Sequence, residues 1–154
     1  MIARLRLWAY LAAVVSCALL AALGQTQFNL NEIAALGAPL PVEVRLRSTL
    51  YDLLGFSPTF AVLAAPALLV ALPLAGWLAR YLKPRWLIYA LAGAAAIACA
   101  LSIVNALAPM PTLIGADRYV LGRLMFMLCG ACGALLFTWL TRAARLNYME
   151  QNHA

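Results

Sequence analysis

The sequence predicts an all-α integral membrane protein, an antiparallel bundle of four transmembrane helices with a short amphipathic helical segment at its outer face. Three observations lead there. Of the 154 residues, 66% are hydrophobic and 10% charged, whereas soluble domains carry about 45–50% apolar and about 25% charged residues. Four apolar runs, at about 7–24, 58–81, 86–107 and 118–141, each match the roughly 20 residues that cross about 30 Å of hydrocarbon. The net charge of +6 is gathered in short clusters at the ends of those runs, which is the pattern that orients membrane proteins and not a nucleic-acid patch. The chain reads as a single membrane domain over 1–154, with an outer segment at 25–57 and a cytoplasmic tail at 142–154.

The first run follows Arg4 and Arg6 and ends at Gly24-Gln25-Thr26-Gln27. A cleaved signal peptide is one reading, with Ala22-Leu23-Gly24 as a fair cleavage site. A lipoprotein signal around Cys17 is another, but the residues after Cys17 stay apolar. The length of the run favours a retained first helix.

Between the first two runs the polar residues are patterned. Asn31-Glu32 followed by Ile33 to Gly37 offers an asparagine cap, an acidic first turn and a terminating glycine, which predicts one short helix. From Val42 to Leu54, Val42, Leu46, Leu50, Leu53 and Leu54 follow the helical period, while Glu43 and Arg47 stand four apart on another side. That predicts a second short helix lying along the membrane–water boundary, with Arg45 and Arg47 among the headgroups. Arg45, Arg47 and Asp52 are the candidate outer-face interaction residues.

Ser57-Pro58 reads as the start of the second span, a capping side chain before a proline at the first helical position. Pro66 and Pro73 lie inside that span, where each removes a helix hydrogen bond. The basic turn from Arg80 to Arg85 makes spans two and three a tight hairpin. A connection from Ala108 to Asp117 leads to the fourth span, closed by Arg142 and Arg145.

Orientation follows from lysine and arginine counts. Arg4, Arg6, Arg80, Lys83, Arg85, Arg142 and Arg145 fall on one side, and Arg45, Arg47, Arg118 and Arg123 on the other. Seven against four places both termini in the cytoplasm, and the short, alanine-rich helices suggest a bacterial inner membrane. Glu32, Glu43, Asp52 and Asp117 are then outside and Glu150 inside. All four tryptophans mark the inner boundary, where amphipathic rings favour the interface.

Candidate chemistry is sparse. Arg123, about one turn inside the fourth span, must snorkel, pair or face a wet cavity. Asn105 is at similar depth on the third span, and the expectation is that the two face one another with Asp117 or an acidic residue of the outer segment as a further partner. Cys129 and Cys132 have C-x-x-C spacing, but Cys129 is roughly 15 Å from the helix end, where a thiolate is strongly disfavoured. Four-helix membrane thiol oxidoreductases keep reactive cysteines near the outer surface with a second pair in an outer loop, a place where this chain has no cysteine. The single histidine, His153, is in the tail, so no metal or cofactor site is expected, and no catalytic constellation. Ala92, Ala96 and Ala100 on the third span, Gly130 and Ala134 on the fourth, and Ala64, Ala67, Ala71 and Ala75 on the second form smooth stripes suited to close helix approach. The leading functional reading is a non-enzymatic accessory or assembly subunit that binds the lipid bilayer and another membrane protein or itself through its outer face. A small oligomeric transporter or channel subunit using Arg123 comes second, and a thiol oxidoreductase using Cys129 and Cys132 third. Nucleic acid is not an expected partner.

Overall fold

A computed structural model describes residues 2–37, 41–107 and 114–151. Within them the chain forms α1 (Ile2–Ala35), α2 (Val42–Leu78), α3 (Arg85–Leu107), a short 3-10 turn at Gly115–Arg118 and α4 (Val120–Gln151). All four α-helices are long and apolar enough to cross a membrane, so the chain is an all-α multi-pass membrane protein. Each helix packs on its sequence neighbours and α1 closes the ring onto α4. Much of the Ala108–Asp117 connection, at 108–113, lies outside the described residues, as do His153 and the side chains of Arg145 and Glu150.

Two expected helices are not separate. The Asn31 to Gly37 segment is the last part of α1, and the Val42 to Leu54 segment is the first part of α2. Gly24 does not end α1, because it is the point where Met125 of α4 packs, and a Cβ there would lie 2.9 Å from the Met125 methyl. Gly37 does end α1 as expected. It takes φ +84°, a left-handed conformation in which a Cβ would be strained, and its N–H donates to the Ala34 carbonyl at 3.0 Å. Ser57 is not a cap, since its hydroxyl is buried inside continuous α2. The helix runs through Pro58 because rings on either side of it are anchored to α4: Phe56 and Phe60 lie 6.4 and 5.3 Å from the Phe126 ring. Pro66 and Pro73 also sit within α2 and face outward.

The core consists of small residues around a few large ones. Phe60, Leu68, Ile97, Leu101 and Phe126 are fully buried, and Phe60 stacks on Phe126 across the bundle diagonal at an interplanar angle of 23°. α1 contributes Ala13, Cys17, Ala18 and Ala21. The tightest approach is between α3 and α4. A Cβ on Gly93 would run into the Gly130 carbonyl oxygen and stand 2.7 Å from the Ala134 methyl, and a Cβ on Gly130 would meet the Gly93 carbonyl in turn. The Gly130 and Ala134 stripe is therefore a contact face. On α3 the contact line is Gly93, Ile97 and Leu101, all buried, while Ala92, Ala96 and Ala100 are half-buried beside it. On α2, Ala64 and Ala75 are buried, and Ala67 and Ala71 half-buried. On its other side α4 meets α1 at Gly133, where a Cβ would be 2.7 Å from the Ala13 carbonyl.

Both partners of the glycine crossing are backbone, so neither can yield. Gly93→Leu and Gly130→Leu are expected to destabilise the bundle by about 3 kcal/mol or to prevent folding, whereas Gly55→Ala, where a Cβ meets nothing within 4 Å, is expected to leave it intact. Thermal unfolding of purified protein in mild detergent, read by size exclusion, checks the contrast.

Candidate functional site

Polar side chains inside an apolar bundle need partners, because an unsatisfied polar group away from water costs free energy. Most of those in this chain are at one end. The described carboxylates Glu32, Glu43, Asp52 and Asp117 all lie toward the end where α1 meets α2 and α3 meets α4; we name this the acidic end. The opposite end, with the turn at 79–84, carries Arg6, Arg80, Lys83, Arg85 and Arg142 and is the basic end.

At the acidic end, Asp117 and Arg123 flank the start of α4 but serve different partners. Asn105 of α3 donates from Nδ2 to Asp117 Oδ2. Asp117 is 7% exposed, and its second oxygen, Oδ1, is buried with no hydrogen-bond partner among the described residues. Arg123 does not face this pair. Its Nη2 donates to the Ser102 hydroxyl and, at 3.2 Å, to the Ala98 carbonyl, so it is clamped across α3 one to two turns deeper than Asn105. The expected Arg123–Asn105 contact is absent because α3 and α4 are antiparallel and held in register by Gly93 on Gly130, which sets Ser102 beside Arg123 and Asn105 beside Asp117. Sequence inspection missed Ser102. Its signal was a hydroxyl three residues before Asn105, on the same side of α3.

The α1–α2 contact at this end has a polar seam. Thr26 donates to Asp52 Oδ2 at 2.7 Å, and Gln27 Nε2 donates to the Thr49 hydroxyl at 3.3 Å. Arg45 donates to Gln27 Oε1 and Asn31 Oδ1, both at 3.4 Å. Arg45 and Asp52 are thus used within the chain. Arg47 reaches the Tyr51 hydroxyl at 3.4 Å and lies 5.6 Å from that ring's centroid on the exposed side. Gln25 Oε1 and Ser57 Oγ are further buried polar atoms without a partner among the described residues.

Cys129 is buried and Cys132 exposed on α4; Cys17 is buried and Cys99 exposed, and all four are free thiols. Cys129 and Cys132 alternate with Gly130 and Gly133, the two contact points of α4, so the C-x-x-C spacing coincides with a helix-packing segment. Among the described residues no group of three His, Cys, Asp or Glu side chains could hold a metal ion.

Cavities occur at the basic end. One of about 760 Å³ is lined by Arg6, Tyr10, Trp77, Arg80, Arg85 and Tyr89 together with apolar residues of α2 and α4. A second of about 760 Å³ adjoins it, sharing Arg85, Tyr89 and Thr141 and adding Lys83 and Arg142. None of the sequence-expected site residues lines either. Compared with protein-family models, with characterised proteins and with solved structures, the chain matches none.

Removing Asn105 strands the Asp117 carboxylate, whereas removing Asp117 leaves only a half-buried amide. Asn105→Ala is expected to cost about 2 kcal/mol and Asp117→Ala about 1 kcal/mol, with the double variant less destabilised than the sum of the two. Arg123→Ala, which shares no partner with the pair, is expected to add independently to Asn105→Ala. Equilibrium unfolding in mixed micelles across this variant set gives the couplings.

Proposed function

We propose that the chain is a non-enzymatic accessory or assembly subunit of the bacterial inner membrane, with both termini cytoplasmic, and that it engages another integral membrane protein through its acidic end. The observation that carries this reading is the length and dress of α2. It has 37 residues against 23 in α3, and the two helices flank one short turn, so the difference of 14 residues, about 20 Å at 1.5 Å per residue, falls at the acidic end. α3 alone, about 35 Å long by the same rise, already matches the hydrocarbon thickness. The first 14 residues of α2 therefore stand in the headgroup and aqueous region.

That projecting segment turns Arg45, Thr49 and Asp52 into the bundle and displays an apolar stripe beside the exposed Glu43 and Arg47. Asp52, Thr49 and Arg45 turn into the seam with α1, while Val42, Leu46, Leu50 and Leu54, spaced four apart, are 62–78% exposed. A continuous apolar stripe outside the hydrocarbon is the mark of a contact surface. The orientation is supported by the lysine and arginine bias and by the one tryptophan per helix near the basic end. Trp8, Trp77, Trp86 and Trp139 are all more than half exposed, as interfacial anchors would be. Arg123 lines neither cavity and is held by α3, and the bundle axis is filled by Phe60 and Phe126, so the transporter reading draws no support from them. The thiols are at mid-span, away from either end, which does not favour the oxidoreductase reading.

Two experiments test this. Alkaline phosphatase fused after Gly37 is expected to be active and after Gln151 inactive, with green fluorescent protein giving the opposite pattern; the reverse would overturn the orientation. A photocrosslinking residue at Leu50 is expected to capture one discrete membrane protein of a different sequence, while one at lipid-facing Val70 captures none. Leu46→Gln with Leu50→Gln is expected to abolish the adduct without lowering bundle stability. A Leu50 adduct only with lipid or with a second copy would refute the accessory reading.

A further inference from the structure

The crevice at the basic end has the chemistry of an amphiphile site, and we infer that it holds an anionic phospholipid, with the phosphate among the arginines and an acyl chain along the α2 wall. This inference is independent of the proposed partner at the acidic end. Arg6, Arg80 and Arg85 come from α1, the turn after α2 and the first residue of α3, and line one cavity of about 760 Å³. Lys83 and Arg142 line its neighbour, which Arg85 shares. Five cations thus surround two adjoining spaces. The carboxylates whose side chains are described, Glu32, Glu43, Asp52 and Asp117, are all at the opposite end, so no described carboxylate side chain balances this charge. An anion from outside the chain would.

The rest of the cavity selects the kind of anion. Leu68, Leu69, Leu72 and Phe137 form an apolar wall running toward the bundle centre, which is wasted on a soluble phosphate and suits a hydrocarbon tail. Arg85 is positioned by its Nε, which donates to the Ala79 carbonyl at 3.3 Å and closes the end of α2; its terminal guanidinium nitrogens remain donors suited to a phosphate oxygen pair. Gly76 gives the Tyr89 ring its place in the wall, since a Cβ there would lie 2.9 Å from the Tyr89 hydroxyl. Tyr10 is held by donating to the Ala65 carbonyl at 2.8 Å. The exposed tryptophans Trp77 and Trp86 flank this end and set it at headgroup depth, where basic pockets between helices bind anionic headgroups. A zwitterionic headgroup brings its own cation and so gains less from five basic residues.

The test uses the purified full-length chain in a neutral detergent, incubated with equal amounts of phosphatidylglycerol or phosphatidylcholine, with bound lipid counted by native mass spectrometry. Phosphatidylglycerol is expected to be retained at least about tenfold more than phosphatidylcholine. Arg6→Gln with Arg85→Gln is expected to cut its retention by about tenfold or more, while Arg45→Gln with Arg47→Gln, at the acidic end, leaves it unchanged. If the first double variant does not fold, Arg80→Gln at the exposed turn is expected to lower retention by about fivefold. Equal retention of the two lipids, or equal loss in the acidic-end variant, would overturn the inference. Displacement of the lipid by millimolar inorganic phosphate would also overturn it, in favour of a soluble anion.

Discussion

Everything in this bundle is arranged around the absence of side chains at two points of α4. Lipid tails are as apolar as leucine, so transmembrane helices gain little from burying hydrocarbon against one another and rely on close packing and hydrogen bonds. α4 meets α3 at Gly130 and α1 at Gly133, three residues apart and facing different neighbours. Those contacts bring backbone against backbone and fix the vertical register of both helix pairs. The register then decides which polar residues meet. Ser102 falls beside Arg123 and Asn105 beside Asp117 because Gly93 is seated on Gly130.

The same packing gives a cysteine pair with a suggestive spacing a structural setting. Cys129-Gly130-Ala131-Cys132-Gly133-Ala134 is a run of small residues whose glycines make the contacts and whose cysteines fill the positions between. Cysteine there is a small, soft apolar residue. The diagonal between α2 and α4 is filled by large rings, where Phe56, Phe60 and Phe126 cluster. That cluster also carries α2 through Pro58, since residues on both sides of the proline are anchored to the same ring.

The two ends of the molecule use polarity in opposite ways. At the acidic end polar groups pair with one another, through Thr26 and Asp52, Arg45 and Asn31, Asn105 and Asp117, and α2 displays the apolar stripe of Val42, Leu46, Leu50 and Leu54. At the basic end the charges stay apart, around open crevices and a girdle of tryptophans. An end whose polar side chains mostly pair with one another beside an apolar stripe suits contact with protein; an end of clustered cations over an apolar wall suits contact with an anionic lipid.

Composition, the spacing of apolar runs and the placement of charge determined by themselves that the chain is a four-helix membrane protein and where its tight basic turn lies, because hydrocarbon thickness imposes a length on every span regardless of neighbours. The terminating role of Gly37 and the contact face at Gly130 and Ala134 were legible for a similarly local reason, since each follows from one residue's lack of a Cβ. Local signals failed where packing competed with them. The Ser57-Pro58 start and the Asn31 cap are good local start signals, yet both lie inside continuous helices that the Phe56–Phe60–Phe126 cluster and the Thr26–Asp52 seam hold together. Depth along a helix was readable, so Arg123, Asn105 and Asp117 could be singled out. Which of them meet was decided only in the tertiary structure, because partnership across two helices depends on their register, and the register is set by the glycine contact between them.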